Sequence, residues 1–246
     1  MTGEDEEHGS GRHGQSKSAA ELRSFGRRRG RKASDRQCTL MSTLLPRVAV
    51  DVTRLAAGPG AGFAALFGKP LAQIWLEIGF GGGEHLIWQA HANPEVGLIG
   101  CEPFEDGVVK VLDAIDREAI GNVRVQADDA RPLLRALPAA SIDRAFILFP
   151  DPWPKRRHQK RRLVQPPLVA ELARVLKPGA ELRFATDIGD YARTALLAIC
   201  GNPQFYWAAV SPADWRERPA DWPPTRYEAK AVREGRRSYY FRFCRR

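Results

Sequence analysis

The sequence predicts an α/β protein built on a doubly wound, mostly parallel sheet that closes with an antiparallel C-terminal edge. Short β-rich runs alternate with helical stretches from residue 71 onward, a glycine-rich turn follows the first of those runs, and the last β-rich run has no helix after it. In 246 residues with 43% hydrophobic content, one catalytic-sized core plus a tail is the economical arrangement.

The elements justify themselves in order. Residues 1–37 hold Gly, Ser and charge with almost no large apolar side chains, too little to offset the entropy of ordering, and are expected to be a disordered arm. Within the arm, Arg23, Arg27, Arg28, Arg29, Arg31, Lys32 and Arg36 crowd around Phe25, a composition suited to phosphate contact. The expected domain is 38–246. Its strands are IWLEI (74–78), VGLIGCE (96–102), NVRVQ (122–126), IDRAFILF (142–149) and AELRFAT (180–186). Helices are expected over EHLIWQAHAN, FEDGVVKVLDAIDRE and PLVAELARVL, whose apolar residues recur at helical spacing. KPGAE (177–181) reads as a helix stop and a turn into the fifth strand. SYYFRFC (238–244) supplies the antiparallel edge, or supports a dimer; monomer and homodimer stay open.

Composition narrows the partners. Lys and Arg number 38 against 29 Asp and Glu, a net charge of +9 that favours a polyanion. Cys38, Cys101, Cys200 and Cys244 lie far apart without CxxC pairs or histidines at ligand spacing, so reduced, structural thiols and no metal are expected. No apolar run approaches the roughly 20 residues a membrane span requires, and the acidic start lacks the apolar segment of a signal peptide. A cytoplasmic location, off the membrane, is the expectation.

In such a sheet a ligand sits beyond the carboxyl ends of the strands, against the first βα turn. That turn is Gly79-Phe80-Gly81-Gly82-Gly83, and Glu84 stands where a dinucleotide fingerprint needs its last glycine. Preceded by Glu77, it resembles the first motif of class I methyltransferases that bind S-adenosyl-L-methionine, whose cationic sulfonium and amino group favour a nearby carboxylate. Glu102 ends the second strand, where it can hydrogen-bond ribose hydroxyls. Asp128 and Asp129 follow the third, and either can accept from an adenine amino group.

After the fourth strand comes FPDPWPKRRHQKRR (149–162). Pro150, Pro152 and Pro154 interrupt ladder formation and stiffen the loop, presenting Asp151 and Trp153 at the sheet edge. Trp153 either stacks on a base or packs under the loop. Lys155, Arg156, Arg157, Lys160, Arg161 and Arg162 then form a cationic run suited to phosphates, where a solvated face is the plain alternative.

With RSFGRRRGR (23–31), GCEPF, ADDA, FATD (184–187) and TRYEAKAVREGR (225–236) added in order, the chain after residue 22 resembles the bacterial tRNA (guanine-N7-)-methyltransferase family. The resemblance implies a Rossmann-like class I methyltransferase fold, S-adenosyl-L-methionine as methyl donor and tRNA as partner, with methylation at a guanine N7 in the variable loop. It implies cofactor contacts by Glu77, Gly79, Glu102, Asp129 and Asp151, choosing Asp129 over Asp128, and a catalytic role for Asp151. Substrate contacts are implied for Lys155, Arg157, His158, Gln159, Lys160, Arg161, Arg162, Asp187, Thr225, Arg226, Tyr227 and Glu228. TRYE stands where the family often has TKFE, keeping the hydroxyl and the carboxylate. Residues 1–20 lie outside the match.

Overall fold

In the computed structural model, β1 (Gln73–Ile78) runs through the middle of a seven-stranded sheet ordered β3-β2-β1-β4-β5-β7-β6. The structure describes Arg28, Gly30, residues 33–55 and residues 58–246. Strands β2 (Val96–Cys101), β3 (Val123–Gln126), β4 (Ile142–Leu148) and β5 (Leu176–Thr186) run parallel to β1. The β7 strand (Tyr239–Arg245) pairs antiparallel with β5, and β6 (Phe205–Trp207) pairs antiparallel with β7, so the expected antiparallel edge gains a short outermost strand.

Both sheet faces are apolar because helices cover both, and the strand period of two sorts the side chains. Leu76 and Ile78 point into one cluster with Leu133, Leu172, Phe184 and Tyr191, under α4 (Pro59–Phe67), α7 (Ala130–Ala136), α8 (Pro166–Val175) and α9 (Gly189–Cys200). Trp75 points into the other with Leu86, Val111, Leu112 and Phe146, under α5 (Glu84–Ala92) and α6 (Glu105–Glu118). Leu76, Ile99 and Phe184 have no exposed surface, each worth about 1.5–3 kcal/mol of transfer free energy.

The expected tail boundary falls inside a packed element. Helix α1 (Asp35–Thr39) starts two residues before it, with Ser34 and Gln37 forming a reciprocal capping box. A π-helical turn (Leu40–Leu44) continues into α2 (Leu45–Val48), and α3 (Val52–Leu55) leads to α4. Arg36 reaches Asp113 and Asp116 on α6, and Arg28 pairs with Asp128 at 2.8 Å. The other arm cations, Arg23, Arg27, Arg29, Arg31 and Lys32, lie outside the described residues, as does Phe25.

KPGAE differs from the expected turn. Leu176 already pairs with Ile142, and the ladder resumes at Arg144 with Glu181, so residues 177–180 bulge opposite Asp143 alone. Asp143 ties the bulge down, accepting from Lys177 Nζ at 2.7 Å and from the Ile74 N–H at 2.8 Å. At the sheet's other end, α10 (Ala213–Arg216) and α11 (Arg226–Arg233) precede β7. No helix among the described residues is long and apolar enough to cross a membrane.

Candidate active site

The strand order reverses between β1 and β4, and a crevice of about 390 Å³ opens there beyond the carboxyl ends. Gly79 and Gly81 floor it, Glu102 and Phe104 stand on one side, Asp128 and Asp129 on another, and Asp151 and Trp153 at the rim. The turn after β1 turns sharply: Gly79, Gly81 and Gly83 have φ of 77°, 57° and 83°. A glycine from outside the turn matters equally. A Cβ on Gly107, inside α6, would lie 2.1 Å from the Gly81 carbonyl oxygen, so only glycine lets the helix approach the loop this closely.

Glu102 organises this floor. Its carboxylate accepts from the Gly81 N–H at 2.8 Å and from the Phe104 N–H at 2.9 Å, so the acid holds both walls while facing the crevice. Burial pushes its carboxyl above the ordinary range, with Asp151 adding repulsion; the two backbone bonds and Arg226 pull the other way. Asp129 caps α7, accepting from the Arg131 N–H at 2.9 Å and from the Arg131 guanidinium. Burial raises this carboxyl, but the Arg131 bonds outweigh it and leave it below the usual aspartate range. Asp128 accepts from the Asp129 N–H and from Arg28. Asp151 is open to solvent, yet the surrounding crevice walls disfavour its charge and raise its carboxyl.

Glu77 is placed elsewhere. It is 3% exposed within the β1 ladder, on the face that α5 covers, where Oε2 accepts from His85 Nδ1 at 2.8 Å. His85 Nε2 faces Gln89 at 3.1 Å, and Gln89 donates to the Asp221 carbonyl, so the acid braces α5 from below the turn instead of lining the crevice.

The proline loop carries backbone strain, with Phe149 and Trp153 at φ of 49° and 42°. Trp153 lines the crevice and also packs within the loop, edge-on to His158 and 5.1 Å from the Arg161 guanidinium. Residues Arg156–Arg161 form a 3₁₀ helix. Arg157 and Lys160 are exposed on it and Lys155 just before it, while Gln159 is turned to Asp190 at 2.8 Å. Partial desolvation of the His158 ring, with the cations around it, lowers its pKa.

Arg162 does not face the solvent with its neighbours. Its side chain is 2% exposed and donates to the Pro152 carbonyl at 3.0 Å, Thr194 Oγ1 at 3.0 Å and Asp190 at 2.6 Å, so it anchors the loop from inside. A run of cations reads as a solvated face in sequence, and nothing in its spacing marks the one that turns inward.

The TRYE segment divides in two. Thr225 caps α11 through the Glu228 N–H, and Glu228 accepts from Tyr240 at 2.6 Å and Arg218 at 3.1 Å, both away from the crevice. Arg226 pairs with Glu84 at 3.3 Å, and Tyr227 lines the crevice above Gly81. Asp187 is held by Arg236 at 2.8 Å. Sequence reasoning missed Arg131 and Gly107. A glycine within a helical pattern was the available signal for the second.

Comparison with known proteins agrees with this geometry. Residues 72–241 match a family described as "Putative methyltransferase". The chain is 48% identical over 230 residues to the tRNA (guanine-N(7)-)-methyltransferase of Rhodospirillum rubrum, covering 94% of this chain and 90% of that protein. It is 53% identical over 212 residues to the protein of the same name from Hyphomonas neptunium, covering 86% and 94%. Among solved structures, an antibiotic-related methyltransferase superposes with a TM-score of 0.54 at 15% identity, covering 82% of this chain and 98% of that one. The 16S rRNA methyltransferase KamB gives 0.52 at 16% identity, covering 75% and 93%; at such identities the likeness concerns the fold alone. The chain belongs to the tRNA (guanine-N7-)-methyltransferase family.

Proposed function

We propose that this protein transfers a methyl group from S-adenosyl-L-methionine to N7 of a guanine in the variable loop of tRNA, acting in the cytoplasm. The observation that carries the reading is the ring of Glu102, Asp128, Asp129 and Asp151 around a crevice at the strand switch point, with the exposed cations Lys155, Arg157 and Lys160 following Asp151 in the chain. The donor set suits this cofactor: carboxylates match a sulfonium, an ammonium, a ribose diol and an adenine amino group, and would repel a pyrophosphate. When bound, the cofactor supplies an electrophilic methyl on a positively charged sulfur.

On this reading Glu102 receives the ribose hydroxyls and Asp129 the adenine amino group, while Gly79 lets the backbone approach. Glu77 supports the glycine turn through His85 and α5. Guanine N7 carries a lone pair and no proton, so no general base is required and positioning dominates. Asp151 accepts from guanine N1 and its amino group, and its charge offsets the positive charge the base gains. Lys155, Arg157, Lys160 and Arg161 meet phosphates, and Tyr227 closes the crevice above Gly81. Arg162 holds the loop in place. The variable loop as target rests on the family resemblance.

The test is strand scission at N7-methylguanine after incubation of the protein with unmodified tRNA and S-adenosyl-L-methionine. Scission within the variable loop is expected; scission at guanines elsewhere overturns that placement, and none at all overturns the reaction.

A further inference from the structure

A second cavity, of about 540 Å³, opens between α10, α11 and the start of β7, and shares no lining residue with the crevice. It lies on the same edge of the sheet, because Tyr239 at the amino end of β7 pairs with Thr186 at the carboxyl end of β5. Four arginines surround it. Arg236 is neutralised by Asp187 and Glu234, and Arg218 by Glu228. Arg216 and Arg237 have no ion pair among the described residues, leaving two uncompensated cations.

The floor is aromatic. Trp215 stacks on Tyr239 with centroids 6.2 Å apart and planes 13° apart, and Tyr239 stacks in turn on Phe241 at 6.4 Å and 5°. The Arg216 guanidinium lies 4.5 Å from the Trp215 ring centroid. Unpaired guanidiniums beside a stacked, part-exposed indole suit a phosphate with a neighbouring base, since bases stack on aromatic rings and on guanidinium planes alike. An acidic peptide would satisfy the cations and leave the stack unused.

We propose that this cavity is a second RNA subsite, taking a backbone phosphate on Arg216 and Arg237 and an unpaired base on Trp215. The proposal rests on the reading of the substrate as tRNA, and extends it to residues on the far side of Asp187 from the 3₁₀ cluster. It gives the RNA two separated footholds at one edge of the sheet.

The test compares the full chain with Arg216→Ala/Arg237→Ala and with a charge-matched control, Arg47→Ala/Lys69→Ala, two exposed cations without an ion pair among the described residues and outside both cavities. Binding to unmodified tRNA is measured from 50 to 200 mM salt, together with kcat and KM for tRNA. Two lost phosphate contacts lower the salt slope by about 1.4–1.8, so the double variant loses roughly seven- to twelvefold less affinity across that range than the parent. A raised KM for tRNA with unchanged kcat, and a control that behaves as the parent, are expected. An unchanged slope, or an equal change in the control, overturns the subsite. If the parent binds tRNA with the predicted slope difference but incorporates no methyl, the subsite stands and the methyl-transfer reading falls.

Discussion

Removing the Arg162 guanidinium separates an anchor from an RNA contact. In Arg162→Ala the Pro152 carbonyl and Thr194 Oγ1 lose their donor, and Asp190 loses a partner at 2.6 Å. A hydrogen bond to a charged group contributes about 1.5–3 kcal/mol. Asp190 is 51% exposed, so water re-solvates it and the ion pair counts at the low end of that range. With the buried stem and its contact to the Tyr191 ring also lost, the total comes to about 2–4 kcal/mol. For a chain of this size that lowers the melting temperature by roughly 4–16 °C. Urea unfolding measures the change, and tRNA binding against salt supplies the contrast. Arg157→Ala and Lys160→Ala, at exposed positions, are expected to stay within about 0.5 kcal/mol of the parent while each lowers the salt slope by about 0.7–0.9. Parental stability in Arg162→Ala, together with a lowered slope, would refute the anchor and restore Arg162 as a phosphate contact.

Other perturbations report on the crevice. Asp151→Asn is expected to lower kcat by about a hundredfold or more. The parent's raised carboxyl puts the acid limb of kcat/KM above the ordinary aspartate value of about 3.9, with activity lost as pH falls through it; a profile unchanged in the variant refutes the assignment. Because ionising a raised carboxyl disfavours the folded state, the same variant is expected to be no less stable at pH 7, which thermal melting checks. Gly107→Ala places a methyl 2.1 Å from the Gly81 carbonyl and is expected to cost about 1–3 kcal/mol and most S-adenosyl-L-methionine affinity by calorimetry; parental affinity contradicts the close approach. Glu77→Ala strips buried His85 of its acceptor and is expected to lose about 1–3 kcal/mol of stability. Loss of cofactor affinity at unchanged stability would instead make Glu77 a direct contact.

The sheet was legible because its strands are apolar runs bounded by glycine, proline or acids. β1, β2, β3 and β4 fall within a residue of the expected 74–78, 96–102, 122–126 and 142–149. β5 began four residues early because a bulge opposite Asp143 looks in sequence like an ordinary Lys-Pro-Gly turn. α7, α9 and α11 were passed over, and α11 matters most, since it carries Tyr227 to the crevice. The acids at the strand ends were visible as residue types, and Glu102 and Asp129 do meet at one cavity. Which way each side chain points was not visible. Glu77 lies inside the β1 ladder opposite Gly100, where it meets a histidine eight residues on, whereas Glu102 stands one residue past the end of β2 and reaches the crevice. Burial of Arg162 within a cationic run depends on Asp190, 28 residues away. Local spacing carries no record of such partners.

Nucleoside analysis of tRNA after incubation with the full chain and methyl-labelled S-adenosyl-L-methionine tests the central claim most directly. Label is expected in 7-methylguanosine alone, and is expected to disappear with Asp151→Asn. Label in another nucleoside, or none in a preparation that binds both cofactor and tRNA, would contradict it.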